Sequence, residues 1–326
     1  MNTTETNKDF KKEVVEELAE RLQSDYIFPD KAKETAELIL GKLSNGEYEG
    51  VEDPFVFSNV LTEDLQKITR DRHLKVMYST ESKSIEKEKI EEEMLEEYRR
   101  KTKSINYGFY KVERLNGNIG YIDLRNFVDT QLGGETAVHA MNFIANTDAL
   151  IFDLRKNGGG SPAMIALITS YLFEEVTHLN NFYYRPEGQT RQSWTLPYTP
   201  GQRYLNKPVY ILTSHYTFSA AEEFTYNLKN LNRATVIGEV TGGGAHPGRV
   251  QQITEHFRVF IPTGRAVNPI TNTNWEGTGV EPDIKVSKEL AFDRAYNEAL
   301  KYVKEKYKDK QEYQFLMEEI EEGLTK

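Results

Sequence analysis

From Asn116 onward, short apolar runs alternate with stretches of helical periodicity, and this pattern constrains the fold more than any other feature of the chain. Ile119-Gly120-Tyr121-Ile122-Asp123-Leu124 reads as a strand. Ala149-Leu150-Ile151-Phe152-Asp153-Leu154 reads as a second, with the continuous apolar character of a strand covered on both faces. Val209-Tyr210-Ile211-Leu212 and Ala234-Thr235-Val236-Ile237-Gly238 read as further strands. Between them, residues 135–145, Pro162 to Phe173 and 220–231 have helical spacing, the last placing Ala220, Phe224, Leu228 and Leu231 on one face. Strands alternating with helices imply a largely parallel α/β core, because a parallel pair needs a crossover connection.

The residues before this core read differently. Val14, Val15, Leu18 and Leu22 recur at helical spacing, as do Ala32, Ala36, Leu38, Ile39 and Leu43, with a break at Pro29-Asp30 and a stop at Asn45-Gly46. Leu61, Leu65 and Ile68 mark a third helix, with Thr62 expected as its N-cap. The domains expected are a helical bundle over 1–80, a charged connector over 81–104, an α/β core over 105–290 and a helical tail over 291–326. The connector is dense in Lys, Glu and Arg, with Ile85, Ile90, Met94, Leu95 and Tyr98 as its few apolar positions, and is expected to be a solvated helix or linker. The 326 residues, 38% of them hydrophobic, suffice for a substantial core. A formal net charge of −10 argues against a general nucleic-acid binder. No apolar run reaches the ~18 residues of a membrane span. The polar start Met1-Asn2-Thr3-Thr4 has no secretory apolar region, so a cytoplasmic protein is expected as the chain stands, and an exported one if a signal has been removed. With no cysteine, disulfides and thiolate metal sites are excluded, and no metal or cofactor is expected.

Three glycine-bearing loops follow strands. Arg155-Lys156-Asn157-Gly158-Gly159-Gly160-Ser161-Pro162 matches no nucleotide-binding pattern but can expose backbone N–H groups to an anion or oxyanion. Thr241-Gly242-Gly243-Gly244-Ala245-His246-Pro247 is the second, and Trp275-Glu276-Gly277 sits in the third. Ser219 stands between the strand at 209–212 and the helix at 220–231. There it can cap the helix, with Glu222 completing a capping box. It can also act as a nucleophile beside the N–H groups of the first helical turn, which have no intrahelical partner. The aromatic-rich stretch from Phe182 to Tyr198 has the composition of an extended hairpin or lid.

Taken in order, Asp153–Gly160, Thr217–Glu222, Gly238–Gly244 and Gly277–Asp283 resemble the tail-specific, or C-terminal processing, serine protease superfamily. The resemblance covers residues 105–290 and extends to the helical front, which is similar to the N-terminal domain of the interphotoreceptor retinoid-binding protein branch. It implies an α/β fold with a crotonase/ClpP-like catalytic core and an N-terminal helical-bundle domain. Members with a serine–lysine dyad carry the lysine at the position of Gly244, and usually a PDZ domain for which the stretch from His73 to Asn116 is too short. The match is therefore to the tricorn-like branch. What it implies is Ser219 as nucleophile, His73 in Asp71-Arg72-His73 as general base and Glu276 as the carboxylate that orients it. It also implies an oxyanion hole from the N–H of Ala220 with Gly158 or Gly159; the second glycine loop is expected to line the pocket, with Gly243, Gly244 and His246 binding substrate. The expected activity is peptide-bond hydrolysis through an acyl-enzyme, on a peptide or protein substrate. The alternative is a carrier of apolar ligands on the same fold. The sequence leaves homo-oligomerisation open.

Overall fold

The computed structural model describes the backbone of residues 4–80 and 87–324 and the side chains of 10–80 and 95–323. Along the chain run α1 (Thr4–Asp25), α2 (Pro29–Ser44), α3 (Pro54–Thr69), β1 (Lys75–Tyr78) and α4 (Lys87–Ser104). Next come β2 (Phe109–Leu115), β3 (Ile119–Leu124), α5 (Thr130–Phe143), β4 (Ala149–Asp153), α6 (Pro162–Ser170), β5 (His178–Tyr184) and β6 (Gln189–Trp194). They are followed by β7 (Val209–Thr213), α7 (Ala220–Asn230), β8 (Thr235–Gly238), β9 (Gly248–Gln252), β10 (Phe257–Pro262) and β11 (Gly264–Val267). The chain closes with β12 (Ile284–Lys285), α8 (Ala291–Tyr307) and α9 (Gln314–Leu324). Among the described residues no helix is long and apolar enough to cross a membrane. Two compact units emerge: residues 1–97 with 181–191 and 246–267, and residues 98–180 with 192–245 and 268–326.

The second unit is built on a six-stranded sheet in the order β12-β8-β7-β4-β3-β2. All its pairs are parallel except β2 with β3. Side chains alternate across a strand, and here both faces are buried. Ile122, Leu150, Phe152 and Ile211 face α5, α6 and α7 through Ala137, Met141, Met164, Ile168, Phe224 and Leu228. Tyr121, Ile151 and Leu212 meet Ala295, Ala299, Val303 and Ile320 of α8 and α9. Burying one such Phe or Leu side chain contributes about 1.5–3 kcal/mol. The expected helix at 135–145 starts earlier, at Thr130, where the Asp129 side chain accepts from the N–H of Gln131. Gly133-Gly134 weakens the helical signal of that first turn. Gly133 is placed where a Cβ would come within 3.0 Å of the Tyr107 side chain.

In the first unit α1, α2 and α3 pack with the antiparallel sheet β1-β10-β9. Leu18, Leu22, Ile39, Phe57, Leu61 and Leu65 share a core with Val76, Phe257, Val259 and Ile261. Thr62 is not the N-cap. Asp53 is, its carboxylate accepting from the N–H groups of Phe55 and Val56 ahead of Pro54 at the first helical position. Thr62 lies mid-helix, donating to the Ser58 carbonyl and accepting from the Val76 N–H, so it ties α3 to β1. The expected aromatic hairpin is β5-β6, with β11 paired antiparallel to β5. Within the connector, 87–104 is helical, and Leu95 and Tyr98 are exposed as a wet face requires. Ile85 and the side chains of Ile90 and Met94 lie outside the described residues.

Candidate active site

The second unit holds Ser219, both expected oxyanion loops and Glu276. Ser219 follows β7 and immediately precedes α7, with φ 54° and ψ −120°. A non-glycine residue held in such a region costs about 1–3 kcal/mol, so the surroundings must impose it. They do so through bonds to backbone carbonyls. Thr217 Oγ1 donates to the Leu154 carbonyl (2.8 Å), Ser214 Oγ to the Arg155 carbonyl (2.7 Å) and the Phe218 N–H to the Asn157 carbonyl (3.1 Å). The 155–160 loop is itself pinned by fully buried Asn157, whose Nδ2 donates to the Leu124 carbonyl at 2.9 Å.

Gly159, with φ +115°, passes so close that a Cβ would sit 2.8 Å from Ser219 Cβ and 3.1 Å from the Ala220 nitrogen. Its N–H donates to Asn157 Oδ1 at 2.8 Å, so of the two glycines offered as a donor, Gly159 is already committed. The N–H groups of Gly158 and Ala220 make no hydrogen bond among the described residues. An oxyanion at Ser219 would call on those two.

The expected capping box is present in its Glu222 half: the Ser219 N–H donates to Glu222 Oε2 at 2.8 Å. The same carboxylate takes the N–H groups of Gly243 (2.6 Å) and Gly244 (2.8 Å) and the Thr241 hydroxyl (2.5 Å). Glu276 joins this loop one residue further on, its Oε2 accepting from the Ala245 N–H at 2.6 Å. Trp275 Nε1 donates to the Gly244 carbonyl (2.6 Å) and the Gly277 N–H to the Gly243 carbonyl (3.0 Å). Ser219, Gly243, Gly244 and Glu276 are thus carried by one stitched frame. Next to Glu222, Glu223 is buried with Asn180 and Asn227 as polar neighbours, and burial pushes its pKa up to about 8.

The first unit holds His73 and His246. The αL residue Arg70 ends α3, and Asp71 follows at 1% exposure. Asp71 Oδ1 accepts from the His73 N–H at 3.0 Å, while its Oδ2 lies 2.7 Å from His246 Nδ1 and 3.3 Å from the donating Tyr26 hydroxyl. The His73 ring stacks on Phe260 at 5.8 Å, its Nδ1 3.8 Å from Asp71. Burial lowers the His73 pKa to about 4. Asp71 opposes the shift, and His246 and Arg72 add to it. His73 is therefore a neutral imidazole at pH 7, in the form that accepts a proton. The 6.5 of an unperturbed histidine does not apply to it.

Two residues were passed over in the sequence. Asp71 stood beside His73 with no role assigned, yet it binds the imidazole of His246. From the sequence, Glu222 reads only as a helix cap. For Asp71 an Asp-x-His spacing was a usable signal, since a carboxylate two residues before a histidine can accept from its backbone N–H. The 19 and more residues separating Glu222 from its loop partners left no local signal.

Residues 118–286 match peptidase family S41, and residues 7–106 match the N-terminal domain of Peptidase_S41 in eukaryotic IRBP. The tricorn protease of Thermoplasma volcanium is 26% identical over 183 residues, covering 53% of this chain and 16% of that protein. The chloroplastic carboxyl-terminal-processing peptidase 1 of Arabidopsis thaliana is 28% identical over 185 residues, covering 56% of this chain and 36% of that protein. The chain thus spans well under half the length of both relatives. In fold it is similar to a crystal structure from Parabacteroides merdae, with a TM-score of 0.60 and 20% identity over 85% of this chain and 90% of that one. It is also similar to the tricorn protease, with a TM-score of 0.57 and 15% identity over 99% of this chain and 37% of that one. The parallel sheet, the glycine loops around Ser219 and a match spanning 118–286 together establish that the chain belongs to peptidase family S41.

Proposed function

We propose that this chain is a serine-type peptidase that cleaves peptide bonds through an acyl-enzyme on Ser219. The observation that carries the reading is the strained backbone of Ser219 at a strand-to-helix turn, beside two uncommitted N–H donors. A serine hydroxyl is a weak nucleophile until an imidazole takes its proton. His73 is the proposed base and Glu276 the carboxylate that fixes its tautomer. Ser219 Oγ attacks the carbonyl carbon as its proton passes to the imidazole, and Ala220 and Gly158 receive the oxyanion. One such donor contributes about 3 kcal/mol. The C–N bond then breaks, the imidazolium protonates the leaving amine, and water hydrolyses the ester by the reverse sequence. The peptidase relatives support a peptide substrate.

A second assignment of the base rests on the Asp71–His246 contact at 2.7 Å. A carboxylate on Nδ1 leaves Nε2 as the basic nitrogen, which is the arrangement a general base needs. Labelling the full chain with a fluorophosphonate, followed by peptide mapping, tests both versions. Adduct on Ser219 that is lost in His73→Ala and kept in His246→Ala supports the first. The reverse pattern supports His246. A folded wild-type protein that takes no label but binds retinol or a fatty acid would replace the peptidase with a carrier.

A further inference from the structure

Glu222 is fully buried, and its carboxylate accepts four hydrogen bonds, from the N–H groups of Ser219, Gly243 and Gly244 and from the Thr241 hydroxyl. Two carboxylate oxygens offer about four acceptor sites, so the set is full. The Thr241 oxygen is itself occupied as an acceptor by the Val280 N–H at 2.7 Å, so its hydroxyl proton points to Glu222. An amide at this position would turn a hydrogen toward one of the N–H groups, because each carboxylate oxygen accepts from at least one of them. Among the described residues no Lys, Arg or His forms an ion pair with it. Burial holds its pKa above the ordinary glutamate value, and the hydrogen bonds of Thr241, Gly244, Gly243 and Ser219 offset only part of that rise. What opposes the burial comes from backbone and hydroxyl dipoles.

A helix start needs far less than this, since a single neutral side-chain oxygen satisfies a cap. What the four bonds accomplish is to join the nucleophile to the glycine loop that leads into the Ala245 N–H on Glu276. We propose that Glu222 is a positioning residue for Ser219, holding the serine's φ 54° backbone and the 241–244 loop in one frame that the neutral isostere cannot form. The proposal rests on Ser219 being the nucleophile.

The test compares the wild-type full chain with Glu222→Gln and Thr241→Val in fluorophosphonate labelling, read as kinact and KI separately at a temperature where circular dichroism shows each variant folded. For Glu222→Gln we expect kinact to fall about 100-fold, the scale of a misplacement near 1 Å, with KI within about threefold. Thr241→Val removes one donor of four and should lower kinact by about threefold to tenfold. A merely structural glutamate would lower thermal stability and leave kinact of the folded protein unchanged. Folded Glu222→Gln labelled at the wild-type kinact overturns the proposal. If that variant does not fold, Thr241→Val decides, and a wild-type kinact there overturns it as well. Wild-type protein that takes no label on Ser219 removes the nucleophile itself, and the positioning role with it, a result distinct from an unaffected variant.

Discussion

Ser219→Ala removes one oxygen and no packing, so it should abolish labelling and peptide hydrolysis with a near-unchanged melting temperature; turnover by the folded variant would place the nucleophile elsewhere. Gly159→Ala is the complementary change. Its Cβ would fall 2.8 Å from Ser219 Cβ at a φ of +115°, so the loop must move. A loss of about 10² in labelling rate is expected, and a rate equal to wild type would show that the loop is not tied to the serine. Glu276→Gln keeps an acceptor for the Ala245 N–H but removes the charge that supports an imidazolium. The expected loss in kcat/KM is about 10² to 10⁴, and a rate within about threefold would leave Glu276 a turn residue. The pH profile tests His73 as the base. With the pKa of His73 lowered to about 4 by burial, its neutral form is complete well below neutrality, so kcat/KM should be flat from pH 6 to 8 and fall only near pH 4. An acid limb near the ordinary ~6.5 would mean that His73 is not the group that takes the proton.

Helix α7 carries an acid of a second kind. Glu223 stays protonated in the folded chain up to about pH 8, against an ordinary 4.5. The folded state therefore holds a proton that the unfolded state releases across that window. Stability should fall as pH rises from 4.5 to 8, by up to ~1.4 kcal/mol per pH unit, and level off outside it. Glu223→Gln should lack this slope, gaining on wild type between pH 5 and pH 8 in thermal melts; parallel curves would show Glu223 already ionised in the fold. The elements themselves were legible where apolar pattern and burial coincide. β3 spans its expected residues, β4 and β7 end within one residue of theirs, and α7 runs as its spacing indicates, because each strand is buried on both faces. β1 and β9 were not visible: exposed Lys75, Arg249 and Val250 interrupt any short alternation. The start of α3 was hidden because the consecutive apolar residues Phe55-Val56-Phe57 blur its stripe, although only Phe57 is buried. In the site, Ser219 and the glycine loops were readable from local pattern. The bonds of Glu222 and Asp71 join residues distant in the chain, which periodicity does not register.

At the level of the whole molecule, the first unit is assembled from three separate stretches of chain. Deleting residues 1–97 would leave Phe257, Val259 and Ile261 without the helices that bury them. The 98–326 fragment should therefore aggregate or melt without cooperativity, as gel filtration and calorimetry would show, whereas a monomeric fragment with a sharp transition would mean that β9 and β10 need no helical partner. The same discontinuity sets a schedule during synthesis. Helices α1 to α3 leave the ribosome about 190 residues before β10 completes their core, a wait of roughly 10–40 s at ~5–20 residues per second. Through that interval their apolar faces and the edge of β1 are open to other nascent chains, so the yield of folded protein should depend on chaperones that hold the N-terminal third until its last strand arrives.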